Sequence, residues 1–329
     1  RQIIGGAPKK IALLSHTNPD GDTIGAALAW RSYLERLGHT TCCIAPNRYP
    51  YFLEWMTDIG HIGVFKEDHD GAMARFIGEA DVIFCMDFNQ INRLDRVTDT
   101  VTANTTAVRV LIDHHLHPPV DGYAVQFSDT HACSTSYIVY QLLEAMAGTD
   151  AIDQAMAESL YVGIMTDTGN FSFSSLTSDL FRAVAVLIDK GVNVPYVNSS
   201  VYNNFSEGRM RLLGYMLNDK MVTDYEFGVA YVSLTEEEMR RFDFIQGDSE
   251  GFVNYPLSIR GIRMSAMFIQ TKHSIRVSLR SRGEVDVNVF ARRYFDGGGH
   301  RNAAGGKSYV PMNETLENFR KYLREYFGA

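Results

Sequence analysis

A short apolar run, Ile11-Ala12-Leu13-Leu14, breaks into His16-Thr17-Asn18-Pro19-Asp20-Gly21-Asp22 and resumes as a helix-like run from Ile24 to Leu37. Four consecutive apolar residues bounded by turn residues predict a buried strand, and Pro19 and Gly21 predict the turn. The same grammar recurs. Thr40–Ala45 predicts a second strand. Ala80–Met86 predicts a third, ending in Asp87, and Val108–Ile112 a fourth, ending in Asp113-His114-His115. Helical patterns cover Ala132–Ala147, then Ala155–Met165 running into Thr166-Asp167-Thr168-Gly169-Asn170, then Ser178–Lys190 closed by Gly191. Short apolar strands alternating with helices predict an α/β fold with a doubly wound, mainly parallel sheet.

That topology has a chemical consequence. Right-handed crossovers place the carboxyl ends of parallel strands on one edge, where ligands bind. His16, Asp20, Asp22, Asp87, Asp113, His114, His115 and Asp167 are therefore expected to converge. Each cluster has a plainer reading. An aspartate after a strand is more often a helix cap than a ligand, and Asp22 could cap the helix that follows it. Asp167-Thr168-Gly169 alone is a helix-ending turn. Four such clusters on one edge are harder to explain, because bunched carboxylates raise one another's pKa unless a cation answers them. Mixed histidine and aspartate donors suit Mn²⁺, Fe²⁺, Co²⁺ or Zn²⁺ better than Ca²⁺. There are enough donors for two ions, with Asp87 the natural shared carboxylate. Such a pair clamps the attacking and leaving oxygens of an in-line phosphoryl displacement.

Composition narrows the partners. With 31 basic and 39 acidic side chains, the net charge of −8 argues against a broad basic face gripping long duplex nucleic acid. It leaves room for a small anionic substrate held by local charge or metal. No apolar run approaches the roughly 18 residues of a membrane span, and no leader pattern opens the sequence. Cys42, Cys43, Cys85 and Cys133 form no C-x-x-C. They read as reduced thiols, so a cytoplasmic protein without membrane association is expected.

The length of 329 residues suggests two domains. We expect a catalytic domain over 1–191, a helical connector over 192–222 with a helix at Glu207–Leu217, and a smaller α+β domain over 223–329. In the last, Phe227–Ser233, Ile262–Gln270 and His273–Arg280 predict strands, and Val285–Phe295 and Leu316–Phe327 predict helices. The dense stretch there is Gly297-Gly298-Gly299-His300-Arg301-Asn302-Ala303-Ala304-Gly305-Gly306. Glycines let backbone N–H groups approach an anion closely; the plainer reading is a tight turn before a strand. A P-loop fails, because the first glycine of G-x-x-x-x-G-K-S would fall at Arg301.

His16-x-x-x-Asp20-x-Asp22, Asp87, Asp113-His114-His115 and Thr166-Asp167-Thr168-Gly169 resemble, in order and spacing, the four motifs of the DHH phosphoesterase superfamily. Gly297-Gly298-Gly299-His300, with Ser278–Ser281 and Val285–Asn288 before it, resembles the signature of the DHHA1 domain. The chain departs from relatives at Ser172, where an arginine is common after the phenylalanine, and at Asp296, where a further glycine is common. The resemblance implies two Mn²⁺ ions, with Mg²⁺ or Co²⁺ as substitutes, and an active site in the cleft between the domains. One ion would be held by His16, Asp20 and Asp87, the other by Asp22, Asp87, His114 and Asp167. Asp113 would orient a histidine. His115, catalytic together with Asp87, would face the substrate phosphate. Arg280, Ser281, Gly298, Gly299 and His300 would bind substrate.

A DHH and DHHA1 pair of this length resembles the nanoRNase and pAp-phosphatase branch. The expected activity is hydrolysis of short RNA or DNA oligonucleotides to mononucleotides and of 3′-phosphoadenosine 5′-phosphate (pAp) to AMP. By the same resemblance a homodimer is expected. The rivals are a cyclic or linear dinucleotide phosphodiesterase (c-di-AMP or pApA) and a non-catalytic nucleotide-sensing module.

Overall fold

The computed structural model describes residues 2–173 and 176–328; Arg1, at which the expected first domain begins, lies outside them. The chain divides into two units, Arg1–Asn204 and Phe205–Ala329.

In the first unit the strands are β1 (Lys10–Leu14), β2 (Thr40–Ala45), β3 (Ile62–Val64), β4 (Val82–Met86), β5 (Val108–Asp113) and β6 (Val125–Ser128). They form one six-stranded sheet in the order β3-β2-β1-β4-β5-β6, and every pairing is parallel. The helices are α1 (Gly21–Arg36), α2 (Ala72–Gly78), α3 (Val97–Ala103), α4 (Thr135–Ala147), α5 (Gln154–Asp167), α6 (Ser178–Asp189) and α7 (Val194–Tyr202). Alternate residues of a strand point to opposite faces, and both faces are buried here. Ile11 and Leu13 of β1 and Val82, Phe84 and Met86 of β4 join the core beneath α1, α4 and α5. Ala12 and Leu14 of β1 and Ile83 and Cys85 of β4 join the core beneath α2 and α3. Two covered faces explain why the central strands read as unbroken apolar runs.

The order reverses between β1 and β4: successive strands run outward from β1 to β3, then resume on its other side with β4 to β6. The carboxyl ends of β1 and β4 lie beside this switch point, where a crevice opens above an open parallel sheet.

The second unit contains α8 (Glu207–Tyr215), β7 (Val222–Asp224), β8 (Val229–Leu234), α9 (Glu236–Arg240), β9 (Met264–Gln270), β10 (Ile275–Ser281), α10 (Val287–Tyr294), β11 (Gly298–His300), β12 (Ala303–Ser308) and α11 (Met312–Phe327). Its sheet runs β11-β12-β10-β9-β8-β7. The β8–β9 pair is parallel and the rest are antiparallel, the mixed α+β arrangement expected. One face packs Val277 and Leu279 against Phe290 of α10 and Phe319 of α11. The other packs Val232 and Met267 against Leu212 of α8 and Phe252. The segment expected as a connector, 192–222, is divided between the units, with α7 in the first and α8 in the second.

Some elements go beyond the sequence reading. Pro195 sits in the first turn of α7, where the missing N–H costs nothing, and Asn193 caps that helix. The strands β3 and β6 are the two edges of the first sheet. All four cysteines are free, and burial pushes the Cys85 and Cys133 thiols up to about 12, which keeps them unreactive. Among the described residues no helix is long and apolar enough to cross a membrane.

Candidate metal centre

The first unit brings the eight polar residues singled out in its sequence to the carboxyl edge of its sheet. His16 lies two residues past the end of β1 and is buried. Its Nδ1–H donates to the Thr17 carbonyl at 2.9 Å. That bond leaves Nε2 turned toward Asp87 Oδ2 at 3.3 Å and Asp20 Oδ2 at 3.8 Å. The cap of α1 is Asp20, not Asp22: Asp20 Oδ1 accepts the N–H groups of Asp22 and Thr23, each at 3.1 Å. One carboxylate thus closes the helix with one oxygen and faces His16 with the other.

Asp22, the second residue of α1, is 1% exposed. Its two oxygens accept the Thr135 and Ser136 N–H groups at 2.7 and 2.8 Å. It therefore sits on the amino terminus of α4, a position that a helix provides for an acceptor of its free N–H groups. The fit is tight: a Cβ at Gly163 of α5 would lie 1.9 Å from Ser136 Oγ and 2.9 Å from Asp22 Oδ1.

Asp87 follows β4 directly with a left-handed backbone, φ 64°, an uncommon state for a residue other than glycine. It is held by its own N–H, which donates to Ile112 at 2.9 Å, and by Thr135 Oγ1, which donates to its Oδ1 at 2.9 Å. Asp87 stands between the two groups of donors, with Oδ1 3.4 Å from His114 Nε2 and Oδ2 toward His16. His114 donates from Nδ1 to the Ala132 carbonyl at 3.2 Å. Its Nε2 faces Asp167 Oδ2 at 3.3 Å and Asp22 Oδ2 at 3.8 Å. Asp167 ends α5, where the helix dipole is negative and a carboxylate is disfavoured. His115 donates from Nδ1 to Asp113 Oδ1 at 2.7 Å, and Asp113 is wholly buried.

The donors form three-membered groups whose ligand atoms lie within 4.8 Å of one another: His16, Asp20 and Asp87; Asp22, His114 and Asp167; and Asp87, Asp113 and His115. Their electrostatics ask for positive charge. Burial, followed by repulsion from Asp87 and Asp167, pushes the Asp22 carboxyl well above its usual range. Burial also pushes Asp87 up, but hydrogen bonds from His114 and His16 outweigh it and hold the carboxyl well below that range. Burial favours neutral His114, yet Asp167, Asp87 and Asp22 together raise its pKa well above the usual histidine value. A cluster that drives one carboxyl toward neutrality and one imidazole toward charge is short of cation. The oriented nitrogen and carboxylate donors fit divalent metal ions of the transition series.

In the second unit the glycine-rich stretch is a hairpin of β11 and β12, with Gly298 opposite Gly305 and His300 opposite Ala303. Two of its glycines answer to packing. A Cβ at Gly297 would lie 2.0 Å from the Gly305 carbonyl oxygen, and Gly299, at φ 147°, would place one 2.5 Å from that of Ala303. The Gly299 N–H donates to Asn288 Oδ1 at 3.0 Å. Arg280 lies on β10, opposite Ala303. Ser281 is buried: its hydroxyl donates to the Val285 carbonyl at 2.6 Å and accepts from Asn302 Nδ2 at 2.9 Å, bracing the turn that leads into α10.

Sequence reasoning passed over Thr135 and Ser136, which hold Asp22 and Asp87, and Arg93, which donates from Nη1 to His115 Nε2 at 3.0 Å. The first two carried a legible signal, since Ser134-Thr135-Ser136 is a helix-capping run. Arg93, in a single turn of 3₁₀ helix at Ile91–Leu94, carried none.

Comparison with known proteins matches one family model within each unit. The family model of the DHH family, N-terminal domain, matches residues 10–164, and that of the DHHA1 domain matches residues 225–329. The chain is 28% identical over 304 residues to the bifunctional oligoribonuclease and PAP phosphatase NrnA of Bacillus subtilis, covering 91% of this chain and 89% of that protein. It is 26% identical over 326 residues to the protein of the same name from Thermus thermophilus, covering 98% and 92%. The crystal structure of an exopolyphosphatase-related protein from Bacteroides fragilis is 38% identical, covers 99% of this chain and 94% of its own, and superimposes with a TM-score of 0.92. The chain belongs to the DHH family: it is a metal-dependent phosphoesterase whose DHH domain is followed by a DHHA1 domain.

Proposed function

We propose that this protein is a two-metal phosphodiesterase and phosphatase of the Mn²⁺ type. Its substrates are short oligonucleotides, hydrolysed to mononucleotides, and pAp, hydrolysed to AMP. The observation that carries the reading is Asp87. Its two oxygens face two separate histidines, His16 and His114, each grouped with a further aspartate. On this reading His16, Asp20 and Asp87 hold one ion, and Asp22, Asp87, His114 and Asp167 the other. When bound, such a pair lowers the pKa of coordinated water and neutralises charge developing on a phosphoryl group.

The protein's own part is orientation. The Thr17 and Ala132 carbonyls fix the His16 and His114 rings through their Nδ1–H groups, and the amino terminus of α4 fixes Asp22. Asp113 fixes the His115 ring, leaving Nε2 as the nitrogen that meets substrate. Arg280, the Gly298-Gly299 strand and His300 grip the nucleotide. Ser281 and Asn288 hold that surface in shape. The oligoribonuclease and PAP phosphatase names of the relatives support the choice of substrates, and the net charge of −8 disfavours long polyanions.

The test is release of mononucleotide from RNA of two to ten residues, and of AMP from pAp, with Mn²⁺ added. Turnover should be greatest on the shortest chains. Equal turnover of polyphosphate would overturn the nucleotide assignment. A strict preference for cyclic dinucleotide or for pApA would establish the dinucleotide phosphodiesterase instead, and binding without turnover would leave a nucleotide sensor.

A further inference from the structure

Arg93 is attached to this site twice. Its backbone carbonyl accepts the Thr17 N–H at 2.8 Å and the Thr17 hydroxyl at 2.7 Å, which pins it to the turn between His16 and Asp20. Its guanidinium reaches the other side of the site and donates to His115 Nε2 at 3.0 Å. Among the described residues no carboxylate lies within ion-pair distance of it. A guanidinium only donates, so Nε2 accepts, and Nδ1 carries the proton that bonds Asp113. An always-charged planar fork, held at a site crowded with carboxylates yet resting on an uncharged ring nitrogen, lacks the anion its geometry matches.

We propose that Arg93 is a substrate-binding residue that contacts a non-bridging oxygen of the reacting phosphate and, until substrate arrives, rests on His115. On binding, the guanidinium exchanges the imidazole nitrogen for the phosphate oxygen. The charge-assisted bond is the stronger of the two, and the exchange frees Nε2 of His115 from the guanidinium. Thr17 supplies the fixed point for this movement, since the Arg93 backbone stays tied to the turn while only its side chain swings. The role rests on the phosphoesterase reading above.

The experiment compares wild type, Arg93→Gln, His115→Ala and the double variant on an RNA trinucleotide with Mn²⁺. Arg93→Gln should raise KM and lower kcat/KM by roughly 10- to 100-fold, the range for losing a hydrogen bond to a charged group. The KM effect should persist in the His115→Ala background. An effect that vanishes there, or a fall in kcat with KM unchanged, means that Arg93 only positions His115 and overturns the proposal. Arg93→Lys, which keeps the charge but not the fork, should recover part of the KM. If Arg93→Gln does not fold, Arg93→Lys decides, with a wild-type KM overturning the role.

A second readout needs no turnover. Inorganic phosphate titrated into wild-type protein should shift the ¹⁵N resonance of His115 Nε2, and this shift should be lost in Arg93→Lys. An unmoved resonance overturns the exchange. A wild type that binds phosphate in this way but hydrolyses no nucleotide refutes the substrate assignment and leaves Arg93 as a phosphate ligand.

Discussion

The two units solve one problem, presenting polar groups to an anion, in opposite ways. The first collects side chains from four separate places in the sequence at the carboxyl edge of a parallel sheet. It buries most of the carboxylates among them: Asp22, Asp87 and Asp113 are at most 2% exposed. The second builds its distinctive surface from one contiguous run, in which Gly297 and Gly299 let two strands touch. Buried carboxylates are costly unless charge answers them, so the first unit declares its ligand through electrostatics. A backbone hairpin carries no comparable cost, so the second unit declares only its packing.

The contrast is most exposed to test at Asp87. Asp87→Ala removes the carboxylate whose two oxygens face His16 and His114, and kcat/KM with Mn²⁺ should fall by about 10³-fold or more. Activity that survives this change, or chelation, would remove the two-metal account and leave the buried cluster unexplained.

Next come Asp20 and Asp22, two residues apart but in different donor groups. Each alanine variant should lose a different ion, halving bound metal by elemental analysis and lowering turnover by roughly 10²-fold. Asp20→Ala should also lose about 1 kcal/mol of stability as the cap of α1 goes. Equal and complete loss of both ions in either variant would make the turn a single site.

In the second unit, Gly297→Ala drives a methyl group into the Gly305 carbonyl. It should cost about 1–3 kcal/mol in denaturant unfolding while metal content stays at the wild-type value. A change in metal content would break the division drawn between the units.

The smallest effect concerns Glu238. Burial raises its pKa, but Lys220, the Thr235 N–H and Tyr215 outweigh that and hold it at about 2. A carboxyl depressed in the folded state stabilises above its unfolded pKa of roughly 4.3. That stability is lost as pH falls from there toward 2. The group is partly solvated, so Glu238→Gln should remove about 1 kcal/mol or less at pH 7. The difference from wild type should shrink across that acid range, read as Tm against pH.

Legibility followed burial. The central strands β1, β2, β4 and β5 were readable because chains buried on both faces become apolar runs, and the donors were readable because they interrupt those runs at their ends. The edge strands were not. Ile62-Gly63-Val64 is too short to show a period, and Val125-Gln126-Phe127-Ser128 is only half covered. Pro195, inside the expected connector, is compatible with helix because it falls in the first turn of α7. The glycine-rich run had two readings, anion cradle or strand turn, because glycine serves close approach of any backbone; pairing with β12 settled the local structure as strand.

By itself, the sequence determined which residue types stand at the ends of which strands, and hence that carboxylates and imidazoles would meet at one sheet edge. Covalent order and strand alternation suffice for that. Tertiary structure alone decided how each donor is aimed: Asp20 as cap and Asp22 as guest of the α4 amino terminus, Asp87 in a left-handed backbone, Arg93 resting on His115. Those outcomes depend on hydrogen bonds between residues as far apart as Asp22 and Ser136. Their directions are set by packing, such as the closeness of Gly163 to Ser136, that no local pattern encodes.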